Sequence, residues 1–333
     1  MKPMAPMHNL RELQLALSHE HPKINAEIRR HLETLPDNTR RTAEHLLLSG
    51  GKRLRPLLTL LTGRALGCKD DALYTLGAAI EMVHSATLLH DDILDNSHLR
   101  RGQSAAHIQF GAVPALLSGD ALLAKALRMV ASFGDSGFID CVAEAVMRTA
   151  EGEIAEFACL RNTALSHSDY LGIITGKTAW MLRAACELGA LRAQAKPPLV
   201  EAAALFGLEL GIAFQIVDDA LDFYPSRAKE GTGKPRGGDL REGKVTPPLL
   251  FHLEGLSAHE AALFRENFAD NAFSDADLER ICDEIYTRGC VARTRNLAEE
   301  HLGQAEKALA VFPPTREHRI LCQMTRYILT REE

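Results

Sequence analysis

Two short runs of aspartate carry the chemistry legible in this chain: Asp91-Asp92-Ile93-Leu94-Asp95 and Asp218-Asp219-Ala220-Leu221-Asp222. In a helix, the first and last aspartates of each run lie one turn apart on one face. At about 6 Å and an effective dielectric of about 20, each like-charge pair costs roughly 3 kcal/mol, so such a cluster on a buried face needs a compensating cation. Hard carboxylate oxygens favour Mg2+, which prefers a few carboxylates plus phosphate oxygens to an all-protein cage; the implied substrate is a diphosphate. The basic residues agree with an anionic ligand. Arg100-Arg101 follow the first run, Lys234 and Lys244 follow the second, and Gly176-Lys177-Thr178 and the group Lys52, Arg53 and Arg55 lie elsewhere.

The elements that must position these residues read as helices. The spacing predicts a helix over 72–95 in which His84, Thr87 and Leu88 continue the Asp91 face, and Gln215 stands just before the second run. Apolar residues recur at helical spacing nearly everywhere, as in Leu122-Leu123-Ala126-Leu127-Val130, with little β-branched alternation, so the expected fold class is all-α. Two breaks stand out as expected anion-binding loops: Gly50-Gly51-Lys52-Arg53-Leu54-Arg55-Pro56, and the glycine- and proline-rich stretch from Pro225 to Pro248.

Composition narrows the classes. The 333 residues show no linker, low-complexity run or internal repeat, which predicts a single domain over 1–333. A net charge of −6 argues against nucleic-acid binding. His8, Arg11 and Glu12 interrupt the start, and no later stretch approaches about 18 consecutive apolar residues; the expectation is a cytoplasmic protein without a membrane anchor. Seven cysteines without a C-x-x-C pair fit reduced thiols. Gly238 to Lys244 matches G-x-x-x-x-G-K but lacks the following Ser or Thr, and Gly176-Lys177-Thr178 lacks the upstream glycine, so neither is a P-loop. Glu81-Met82-Val83-His84 is an E-x-x-H of the di-iron type, yet none of the 14 histidines supplies a second copy.

Taken together, these motifs resemble the trans-polyprenyl diphosphate synthases, and within them the bacterial long-chain enzymes of octaprenyl type. The resemblance runs from about residue 44 to 250, with an echo at Tyr327 and Arg331. Gly50 to Pro56 is similar to the family's G-G-K-R-x-R-P. Leu89 to Asp95 with Arg100-Arg101-Gly102 is similar to its first aspartate-rich motif, and Phe214 to Asp222 with Gly233-Lys234 and Asp239 to Lys244 to its second. Thr246-Pro247-Pro248 and Ser104-Ala105 depart from its usual pattern.

The resemblance implies a single large helical bundle of isoprenoid-synthase type around a deep central cavity, usually a homodimer. It implies that Asp91, Asp95 and Asp218 bind Mg2+ directly, while Asp92, Asp219 and Asp222 act through metal-bound water. Arg100, Lys177 and Lys234 would hold the allylic diphosphate, farnesyl or similar. Lys52, Arg55, His84 and Arg101 would hold isopentenyl diphosphate, and Thr178 and Gln215 would place oxygen dipoles near the developing cation. The small Ala86 and Thr87, one turn before Asp91, leave room for a long tail where short-chain members often carry an aromatic residue. The expected activity is condensation of isopentenyl diphosphate with an allylic diphosphate to a long all-trans polyprenyl diphosphate. The rivals are a geranylgeranyl or farnesyl diphosphate synthase, a class I terpene cyclase, in which the Lys52 and Arg55 loop would be superfluous, and a noncatalytic synthase subunit, which tends to lose these aspartates.

Overall fold

The computed structural model describes residues 10–225 and 236–330. Gly233, Lys234 and Arg331 lie outside the described residues. The fold is all-α: among the described residues the strands are Leu99–Arg100 and Gln103–Ser104, two residues each. The chain divides into two compact units, each discontinuous in sequence. One comprises Met1–Val146, Met181–Gly207 and Ala308–Tyr327; the other comprises Met147–Trp180, Leu208–Lys307 and Ile328–Glu333.

In the first unit the Arg11–Leu32 helix buries Leu13, Ala16, Ile24, Ile28 and Leu32, a stripe of helical period. Glu20 interrupts that stripe yet is only 6% exposed. Its carboxylate accepts from Arg64 Nη1 at 2.8 Å and from Tyr74 Oη at 2.5 Å. Burial alone would push its pKa up, but hydrogen bonds from Arg64, Tyr74 and His19 outweigh it and hold the pKa at about 2. The Ala72–Leu94 helix packs against the Leu54–Ala65, Ala112–Ala131 and Arg11–Leu32 helices.

Ala72–Leu94 and Pro197–Leu221 are long and apolar enough to cross a membrane by length and composition. Their most apolar windows are 72% and 56% buried within the fold, so those faces are spent on the core. Both helices end in the aspartate runs.

In the second unit three helices begin with reciprocal serine caps: Ser166 with Asp169, Ser257 with Glu260, and Ser274 with Asp277. Each serine oxygen accepts an otherwise unpaired first-turn N–H, worth about 1 kcal/mol. Between His167–Ile174 and Trp180–Arg192 the chain widens into a π-helical turn over Thr175–Ala179, a device that recurs at functional sites. The described part of the predicted Pro225 to Pro248 loop folds more than expected. It contains the short Gly238–Glu242 helix, and Pro247 and Pro248 open the Pro247–Glu254 helix, where a missing N–H costs nothing. All seven cysteines are unbridged. Burial pushes the Cys186 and Cys282 thiols up to about 12, which leaves both protonated at neutral pH.

Candidate active site

In the first unit the chain gathers cations around the Gly50 to Pro56 loop. Gly51 has φ +122°, and a Cβ there would lie 3.0 Å from Arg101 Nη1; glycine alone lets this guanidinium lie against the backbone. Arg101 Nη1 donates to the carbonyl of Gly50. Arg53, one of three cations in this loop, turns inward instead. Its side chain is 2% exposed, and it donates to Glu81 Oε1 and to Asn25 Oδ1, each at 2.9 Å. Arg53 is therefore a structural clamp. Lys52 Nζ lies 5.5 Å over the ring of Tyr327, and Arg55 Nε is buried without a hydrogen-bond partner. Burial, reinforced by Arg55, Arg101, Arg100 and Arg53, drives the His84 pKa well below its usual value. His84 is therefore neutral among these cations at neutral pH.

The first aspartate run closes the Ala72–Leu94 helix, with Asp95 as its C-cap. Carboxylates at a helix C-terminus oppose the macrodipole, and no basic residue occupies the last turn to offset them. Asp92 is 1% exposed; Arg100 Nε donates to its Oδ1 at 2.8 Å, while its Oδ2 is buried with no partner. Leu99–Arg100 pairs with Gln103–Ser104 around a two-residue turn, in which Arg101 and Gly102 have φ of 52° and 74°. That turn separates adjacent arginines, sending Arg100 to Asp92 and Arg101 to Gly50. Ala86 is 2% exposed and Thr87 half-buried, its hydroxyl donating to the His84 carbonyl at 2.8 Å.

The second run also ends an apolar helix whose last turn is free of basic residues. Tyr170 Oη donates to Asp219 Oδ2 at 2.5 Å and Gln215 Nε2 to Oδ1 at 2.8 Å; Thr178 Oγ1 donates in turn to Gln215 Oε1 at 2.9 Å. Burial, with Asp218 and Glu156 adding to it against the Tyr170 and Gln215 hydrogen bonds, raises the Asp219 pKa to about 7. Asp222 Oδ2 accepts from the Asp239 N–H at 2.9 Å, and Asp239 is pushed well up by burial and by Asp222 and Asp219. This cluster holds more carboxylate charge than its surroundings can stabilise, which fits a divalent cation. Among the described residues no three His, Cys, Asp or Glu side chains form a metal cage by themselves.

Lys177 stands on the π turn, where Gly152 lets two helices touch: a Cβ there would be 2.2 Å from the Lys177 nitrogen. Lys177 Nζ meets Glu153 at 2.8 Å and Glu156 at 2.5 Å, and Lys244 Nζ meets Glu242 at 2.7 Å and Glu156 at 3.9 Å. Burial opposes both charges, but these carboxylates outweigh it and raise both pKa values. Lys177, Thr178, Gln215, Asp219, Asp239 and Lys244 line one cavity. Sequence reasoning missed Glu153, Glu156 and Tyr170. The Glu153-x-x-Glu156 spacing was a usable signal for the first two, being one turn on one helix face.

The family model for polyprenyl synthetase matches residues 36–285. The octaprenyl diphosphate synthase of Escherichia coli (strain K12) is 32% identical over 307 residues, 92% of this chain and 94% of that protein. A short chain isoprenyl diphosphate synthase of Methanothermobacter thermautotrophicus is 32% identical over 303 residues, 89% of this chain and 91% of that protein. A crystal structure of a polyprenyl synthase from Caulobacter crescentus CB15, complexed with calcium and isoprenyl diphosphate, superposes with a TM-score of 0.92 at 34% identity, covering 99% of this chain and 100% of that one.

Proposed function

The chain belongs to the polyprenyl synthetase family, with its all-α isoprenoid-synthase fold and prenyltransferase chemistry, and from that premise we propose a Mg2+-dependent long-chain trans-polyprenyl diphosphate synthase, octaprenyl-like in product. The observation that carries the reading is the buried cluster of Asp219, Asp239 and Glu156 with Lys177 and Lys244 around one cavity. Excess carboxylate there suits a divalent cation, and the two ammonium groups suit the diphosphate it accompanies. Calcium and isoprenyl diphosphate in the Caulobacter crescentus protein are ligands of these same two classes.

Asp91, Asp95 and Asp218 would hold Mg2+, whose charge would stabilise the departing diphosphate; Asp92, Asp219 and Asp222 support them. Lys177, Arg100 and Lys234 hold the allylic diphosphate, with Lys244 beside Lys177. As the allylic C–O bond breaks, its electron pair passes to a diphosphate oxygen, where these cations stabilise the transition state more than the ground state. The Thr178 hydroxyl spends its proton on Gln215, so its lone pairs remain for the allylic cation. Lys52, Arg55, His84 and Arg101 hold isopentenyl diphosphate while its double bond forms the new C–C bond. The proton then lost from the isopentenyl unit passes to the released diphosphate.

The chain works in this reading as one polyprenyl synthase domain, in the cytoplasm, as a homodimer. Exposed Val113, Leu116 and Leu117 on the Ala112–Ala131 helix support a second copy. A shorter product is the second reading, because Ala86 is packed rather than open. Incubation with Mg2+, farnesyl diphosphate and labelled isopentenyl diphosphate, followed by sizing of the dephosphorylated products, tests all of this. Octaprenyl-length products are expected. A stop at geranylgeranyl length assigns the shorter-chain reading, and farnesyl diphosphate consumed alone to a hydrocarbon assigns a cyclase. No incorporation by the purified chain assigns a noncatalytic subunit.

A further inference from the structure

Arg161 follows the helix that carries Glu153 and Glu156, and its backbone is left-handed, with φ 59°. A side chain larger than glycine or asparagine rarely adopts that conformation unless its surroundings hold it there. Here they do. The Arg161 N–H donates to the Gly243 carbonyl at 2.7 Å. Its guanidinium donates to the Phe268 carbonyl at 2.9 Å, to Asn271 Oδ1 at 2.8 Å and to the Arg241 carbonyl at 3.5 Å, and lies 5.5 Å over the Phe268 ring. Gly243 has φ +82°, and a Cβ there would come within 2.8 Å of Arg161 Cγ, so the two residues are fitted to one another.

The next residue is Lys244. Its own N–H donates to the Asp239 carbonyl at 2.8 Å, so the peptide that launches its side chain is pinned from both sides. We propose that Arg161 is a positioning residue: its guanidinium, anchored on Phe268 and Asn271, holds its backbone N–H on the Gly243 carbonyl, and this locks the Gly243-Lys244 peptide so that the Lys244 ammonium is delivered to the cavity shared with Lys177 and Asp219. The consequence for turnover rests on the diphosphate reading above; the locking itself does not.

Arg161→Gly removes the guanidinium while keeping a residue at ease with the left-handed backbone, so the variant is expected to fold. Hydrogen exchange of the ligand-free protein is the first arm: without the guanidinium to hold the Arg161 N–H on Gly243, protection of the Asp239 to Thr246 peptide should fall at least tenfold, and unchanged protection would overturn the positioning role of Arg161 whatever the protein catalyses. Calorimetric binding of inorganic pyrophosphate with Mg2+ is the second arm. Arg161→Gly should weaken it about tenfold in the otherwise native chain and hardly at all in a Lys244→Ala background, because the effect travels through that lysine. Equal weakening in both backgrounds would overturn action through Lys244. If the native chain binds no pyrophosphate, the diphosphate reading fails, and with it the proposed delivery of Lys244, while the exchange arm still decides the locking.

Discussion

At the scale of single residues, two buried carboxylates make opposite predictions. Asp219 titrates at about 7 in the fold and 3.8 is its reference value, so between those values the folded chain holds a proton that the unfolded chain lacks. Stability from this group is therefore lost as pH rises through 7, and a cation bound there displaces the proton. Binding of Mg2+ with pyrophosphate near about pH 6 should release more protons from the native protein than from Asp219→Asn, a difference that fades near about pH 8. Calorimetry in buffers of different ionisation enthalpy reads it, and equal release from both proteins would refute the assignment. Glu81 is paired instead, with Arg53, and both side chains are nearly inaccessible. Arg53→Met leaves that carboxylate stranded and should lower unfolding free energy by about 3–5 kcal/mol, whereas Arg53→Met with Glu81→Leu should recover most of the loss in urea titrations. The aspartates were legible because their partners in the pattern lie within one turn. Tyr170 was not, because its partner Asp219 is distant in sequence and only the fold joins them.

At the scale of elements, helical period revealed the helices and missed what joins them. The 72–95 prediction differs from Ala72–Leu94 by one residue, since Asp95 caps the helix rather than continuing it. The Leu99 to Ser104 hairpin was invisible: two-residue strands are too short to alternate, and the turn depends on positive φ at an arginine. The π turn at Lys177 likewise has no period of its own; the closeness of Gly152 reveals it only in three dimensions. The same contrast separates Ala86 from Thr87. Thr87→Phe projects from a half-buried position and should shorten the product while the fold stays intact. Ala86→Phe forces a ring into a packed site and should cost about 1–3 kcal/mol of stability besides. Product sizing beside thermal unfolding distinguishes them, and octaprenyl-length product from Thr87→Phe would remove that residue from the tail's path.

At the scale of the whole molecule, the division into two units leaves no mark in composition at two of its breaks, Val146 and Gly207, because these fall inside the Ser136–Ala158 and Pro197–Leu221 helices, where no linker can stand. The proposed association draws its support from the surface instead. Val113, Leu116 and Leu117 are 66%, 44% and 57% exposed on the Ala112–Ala131 helix of the first unit, and Ile154 and Phe157 are 69% and 43% exposed on Ser136–Ala158. Val113, Leu116 and Leu117, at helical spacing on one helix, cost solvation unless a partner covers them, and the proposed partner is a second copy. A charge placed among them adds desolvation to a buried interface without a counterion. Leu117→Glu should therefore halve the mass seen by sedimentation at micromolar concentration. The native chain should also unfold at a temperature that rises with protein concentration, while Leu117→Glu should not. A native chain that sediments as a monomer would remove the second copy and leave these leucines for another partner.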